Sequence, residues 1–99
     1  MDDVPRDRKQ AYLNKIFRNC DSAEMAEQIN LLEAFFGAEG SVQAISQALF
    51  IHKNTVQYRI RRLAELTGLD VRLPSQAPAL YLAMLFYLDL SRSEEGRTF

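Results

Sequence analysis

Apolar residues recur at helical spacing along this chain, and the pattern predicts an all-α fold of about five helices. Tyr12, Leu13, Ile16 and Phe17 follow the break at Pro5 and define a first helix from about Asp7 to Arg18. Asp21 and Glu24 have the spacing of a capping box at the start of a second helix, about Ser22 to Phe36. Its stripe is Met25, Ile29, Leu32 and Phe36, widened by Leu31 and Phe35, and Gly37 and Gly40 are expected to supply left-handed residues that stop it. Ser41 suits the N-cap of a third helix of about two turns, with Ile45 and Leu49 inward. A fourth helix, about 53–67, keeps Val56, Ile60, Leu63 and Thr67 on one face and stops at Gly68.

Asp70 to Ser75 reads as a loop ended by Pro74, and Pro78 falls in the first turn of a fifth helix, where its missing N–H costs nothing. That helix is expected to run to about Leu90. From Leu80 to Leu88 it is apolar almost all round, more than one neighbour would cover, so part of it is assigned to a partner subunit. The polar tail SRSEEGRTF is expected to be disordered. The implied organisation is an N-terminal helix and flank (1–20), a helix-turn-helix domain (21–90, with the motif itself at about 41–67) and a tail (91–99).

A short apolar helix, a tight break and a second, basic helix within Ser41 to Leu63 form a helix-turn-helix, an arrangement that suits duplex DNA. Charge sharpens this reading. Ser41 to Ala64 contains Lys53, Arg59, Arg61 and Arg62 but no acid, and all thirteen Asp and Glu residues of the chain lie outside it. With Val56 at zero and about 100° per residue, Asn54, Tyr58 and Arg61 point away from the inward face. These three are expected to face the major groove, with Lys53, Thr55 and Gln57 beside them near the start of the helix, where the dipole favours phosphate. Gln57 could pair with adenine and Arg61 with guanine. Arg59 and Arg62 lie to the side, and are assigned to the sugar-phosphate walls.

The whole-chain composition narrows the alternatives. Ninety-nine residues, 47% hydrophobic and 25% charged, make one globular domain with a modest core. The net charge of -1 does not oppose DNA binding, because phosphates respond to charge within about 10 Å at 0.1 M salt. Cys20 is the sole cysteine, which excludes an internal disulfide and fits the cytoplasm. MDDVPRDRKQ lacks the apolar core of a secretory signal, and the apolar run Ala77–Leu88 is shorter than the roughly 20 residues a membrane span needs.

The segment FIHKNTVQYRIRRLAELTGLD resembles the C-terminal helix-turn-helix of the PucR and sugar-diacid regulator (CdaR) family of bacterial transcription factors. The motif is an apolar residue, His, a basic residue, Asn-Thr, an apolar residue and Tyr-Arg, here Ile51, His52, Lys53, Asn54, Thr55, Val56, Tyr58 and Arg59. Glu65, Leu66, Thr67, Gly68 and Leu69 continue it, and the likeness runs from about Leu31 to Leu88. It implies a Fis-like helical domain that binds operator DNA, with genes of sugar-diacid or purine-type catabolism as targets. Family members usually carry a sensing region upstream, so the chain is expected to be either the C-terminal piece of a longer regulator or an unusually short one. The family often has Arg where this chain has Gln57.

His52 suits a capping turn residue or a half-buried imidazole better than a metal ligand, since there is no second histidine. Asp21 and Glu24 are explained by capping rather than by acid–base work, and Asn54 and Thr55 could cap the fourth helix while also touching DNA. Tyr58 is expected outside the core. Acidic neighbours disfavour a reactive Cys20 thiolate. No catalytic constellation, cofactor, metal or small-molecule site is expected, and the partners implied are double-stranded DNA and a second copy of the chain. The competing function is a protein interaction module built on the fifth helix.

Overall fold

The computed structural model describes residues 4–96, with side chains through Arg92. Five helices and no strand are present among them: α1 (Arg6–Ile16), α2 (Ser22–Gly37), α3 (Val42–Leu49), α4 (Lys53–Thr67) and α5 (Ala77–Gly96). The architecture is thus the all-α one that periodicity predicts. α3 packs on α4, α1 on α5, and α2 touches α3, α4 and α5, so α2 joins the helix-turn-helix to the α1–α5 pair. Leu13 and Phe17 of α1 and its end, Ile29, Leu31 and Leu32 of α2, Ile45 of α3, Val56, Ile60 and Leu63 of α4, and Leu80, Ala83 and Phe86 of α5 make one continuous core. Leu13 and Phe17, which the sequence reading places in a separate N-terminal flank (1–20), share that core.

The helix starts are built as their residue types suggest. The Glu24 N–H donates to Asp21 Oδ1 at 2.8 Å and the Asp21 N–H to Glu24 Oε1 at 3.1 Å, a complete capping box. Ser41 Oγ accepts from the Ala44 N–H at 3.2 Å. Pro78 sits in the first turn of α5 as expected.

Three boundaries differ from the sequence reading. α1 stops at Ile16 instead of Arg18, because Phe17 plunges into the core and the next residues turn so that the Asn19 amide reaches the Leu66 carbonyl at 3.1 Å. Gly37 stays helical; the left-handed residues after α2 are Glu39 (φ 53°) and Gly40 (φ 80°). α5 continues past Leu90 to Gly96, so residues 91–96 are helical, and only 97–99 of the predicted tail lie outside the described residues. A polar composition argues against burial, but extending a docked helix is far cheaper than nucleating one. α5 packs against both α1 and α2 within the same chain. Together they half-bury or bury Leu80 and residues 82–90, and Tyr81, 44% exposed, is the large apolar side chain of the helix left open.

Candidate nucleic-acid interface

The site begins at the turn between α3 and α4. Phe50 caps α3 in the left-handed conformation (φ 57°, ψ 42°), a geometry that usually selects glycine, and its ring is 93% exposed. Ile51 is half-buried and locks the turn to the core. His52 then caps α4: its Nδ1 accepts the Asn54 N–H at 3.0 Å, and its ring is exposed, the first of its two anticipated roles. At the other end Gly68 (φ 74°) closes α4, and the Thr67 hydroxyl donates to the Leu63 carbonyl at 2.8 Å. Both ends of the 15-residue helix are thus fixed, over a length of about 22 Å.

Burial along α4 follows the predicted face. Val56, Ile60 and Leu63 are buried, Thr67 is only half-buried, and Leu66, outside the predicted face, is buried in its place. Lys53, Asn54, Thr55, Tyr58 and Arg61 are exposed, Tyr58 by 59%. Gln57, Arg59 and Arg62 are half-buried, so the eight candidate residues divide into an open strip and two flanks. Lys53 and Arg61 make no ion pair among the described residues, which leaves both charges available on the open strip.

The flank facing α2 holds what sequence reasoning missed. Arg59 pairs with Glu27 at 3.2 Å, and Arg62 lies 4.0 Å from Glu24 and 3.4 Å from Glu65. A cleft of about 370 Å³ runs between the helices there, lined by Glu24, Glu27, Gln28, Thr55, Tyr58 and the two arginines among others. Gln28 is buried, and its Oε1 finds no hydrogen-bond partner among the described residues. The window that is acid-free along the chain is therefore not acid-free in space. The i, i+3 spacing of Glu24 and Glu27 puts them on one edge of α2, but nothing in the sequence says which helix that edge meets.

Cys20 lies near this flank and is half-buried. Burial pushes its thiol above the ordinary value, Glu24 and Asp21 add to the shift, and Arg62 opposes it. The acidic neighbours anticipated from sequence do act, but after desolvation.

A short α3 bracing a capped, exposed and basic α4 across a tight turn defines a helix-turn-helix of the DNA-binding class. Within that class the chain belongs to the PucR C-terminal helix-turn-helix domain family, whose model matches residues 28–86. It is a domain of DNA-binding transcriptional regulators, and the family is not one of enzymes. The chain is 45% identical over 53 residues to the carbohydrate diacid regulator of Escherichia coli K12, covering 54% of this chain and 14% of that protein. It is 30% identical over 95 residues to the DNA-binding transcriptional activator AdeR of Bacillus subtilis 168, covering 91% and 22%. An uncharacterised Mycobacterium tuberculosis protein is 38% identical over 55 residues, covering 56% and 13%. The chain thus spans less than a quarter of each of these relatives. No solved structure matches it. No helix among the described residues is long and apolar enough to cross a membrane.

Proposed function

We propose that this domain binds duplex DNA sequence-specifically, with α4 in the major groove, as the DNA-reading part of a cytoplasmic transcriptional regulator. The observation that carries the reading is the open strip of α4: Lys53, Asn54, Thr55, Tyr58 and Arg61 exposed together beside a capped helix start. Asn54, Tyr58 and Arg61 read base edges or brace against the groove floor, Lys53 and Thr55 meet the near phosphate wall, and Gln57 reads from the flank opposite Arg59. Arg59 and Arg62 reach phosphate from the α2 flank. Two copies read a two-fold related site with half-sites about 34 Å apart. The carbohydrate diacid regulator among the relatives supports genes of small-metabolite catabolism as targets.

Anisotropy titration of a labelled mixed-sequence duplex at several salt concentrations tests the reading. If each of two subunits neutralises about three phosphates, log affinity falls with log salt at a slope near -5. Tyr58→Ala and Arg61→Ala should weaken binding without lowering the melting temperature; a slope near zero, or variants that bind like the parent, would sink the proposal.

A further inference from the structure

Two of the four cations of α4 are already engaged inside the molecule. Glu24 and Glu27 sit one turn apart on α2, Arg62 and Arg59 sit one turn apart on α4, and the two edges face each other across the cleft. We propose that Glu24 and Glu27 act as an intramolecular stand-in for DNA phosphates, holding Arg59 and Arg62 in the free domain and restraining its DNA affinity. The inference rests on the DNA-binding reading above and adds a restraint to it.

Three observations carry it. Arg59 and Glu27 stand 3.2 Å apart, a guanidinium against an anionic oxygen, the same chemistry a phosphate offers, and Glu24 adds a second, looser carboxylate 4.0 Å from Arg62, whose nearer partner is Glu65 at 3.4 Å. The guanidinium side chains keep 28% and 43% of their exposure, and those of Glu27 and Glu24 51% and 38%, so the pairs are solvated enough to exchange one anion for another at little cost. A deeply buried pair would instead be a fixed strut. Thr55 and Tyr58, which belong to the open strip, line the same cleft, so the arginines lie within a side chain's reach of the surface that DNA approaches. A duplex arriving there meets two arginines already faced by three carboxylates, those of Glu24, Glu27 and Glu65. It must displace the carboxylates or tolerate them beside its phosphates.

Glu27→Gln is the discriminating variant, since it keeps shape and removes one charge from a half-exposed site. A carboxylate about 7 Å from a phosphate weakens binding by about three- to tenfold between water-like and half-screened dielectric values. Glu27→Gln should therefore tighten binding by about three- to tenfold and steepen the salt slope by about 0.9, the increment for one further phosphate neutralised. Glu33→Gln changes net charge equally, but Glu33 is exposed and lies half a turn round α2 from Glu24, so it controls for the general loss of negative charge. Adding Arg59→Gln should abolish the steeper salt slope and leave only the through-space part of the gain.

The assay is anisotropy with the labelled mixed-sequence duplex, beside thermal melts of each variant. A parent that binds, with Glu27→Gln tighter and Glu33→Gln unchanged, supports the restraint. A parent that binds, with Glu27→Gln no tighter than Glu33→Gln, overturns the restraint alone and makes Glu27 a positioning residue for Arg59. A parent that binds no duplex at any salt overturns the DNA-binding reading, and this inference with it.

Discussion

His52 offers a test that separates the stability of α4 from its contact with DNA. Its Nδ1 satisfies one of the orphan N–H groups at the helix start, that of Asn54, across 3.0 Å. Losing an N-cap side chain costs about 1 kcal/mol. For 99 residues the unfolding entropy at the midpoint is about 0.2 kcal/mol/K, so His52→Ala should lower the melting temperature by about 5 °C. His52→Asp supplies a preferred cap and a negative charge beside the positive end of the helix dipole, together worth about 0.3–1 kcal/mol over a neutral cap. Its melting temperature should equal or exceed the parent's. The same carboxylate would stand about 7 Å from the phosphates that the helix start approaches, costing about 0.6 kcal/mol for each in water-like dielectric. With two such phosphates, His52→Asp should bind duplex about five- to tenfold more weakly while melting no earlier. Differential scanning fluorimetry and anisotropy on the same samples provide both readings. An Ala variant that melts with the parent would show that the cap carries no stability, and an Asp variant with parental affinity would remove the start of α4 from the phosphate wall.

Four further outcomes follow from other parts of the fold. Phe50→Gly relieves a left-handed residue whose cost is about 1–2 kcal/mol, offset in part by the extra freedom glycine gives the unfolded chain, and since the ring is almost fully exposed the net effect on thermal melting should be stabilising by about 0.5–1 kcal/mol. The ammonium of Lys9, itself buried, donates to Asp89 Oδ2, so Asp89→Asn strands a buried charge and should lower the melting temperature more than Lys9→Met, which leaves Asp89 a third exposed to hydrate. That hydrogen bond holds the Asp89 carboxyl below the ordinary carboxylate range; the stability it contributes is present above the unfolded value near 3.9 and is lost as pH falls through the folded one, so melts from pH 6 to pH 2 should show a flatter acid limb for Asp89→Asn. Cys20, raised mainly by burial, should alkylate with iodoacetamide at pH 7.5 more slowly than a free peptide cysteine.

The inward face of α4 could be read directly because Val56, Ile60 and Leu63 obey one period, and the same projection identified Tyr58 as exposed. Caps at Asp21 and Ser41 were readable because they depend on neighbours three residues away. What escaped depends on partners distant in sequence. Lys9 looks like any surface lysine until α5 brings Asp89 against it across 80 residues. Val71 looks like a loop residue, yet it is buried because the loop folds inward, with the Asp70 carboxylate held by Arg72 and the Asp70 N–H by Gln76. The left-handed Phe50 has no residue-type signal at all, since the turn imposes on phenylalanine a backbone that glycine would take freely.

The pairing of α1 with α5 also governs how the domain yields. Lys9 meets Asp89 while Tyr12 meets Phe86 and the Ala79 carbonyl, so the two helices run antiparallel and the described ends of the chain lie at the same end of the pair. Tension between those ends peels α1 from α5 one contact after another, rather than shearing all of them at once. The α3–α4 unit is closed by contacts local in sequence and lies outside that line of load. A tug transmitted along the chain would loosen the clasp first and reach the reading helix last.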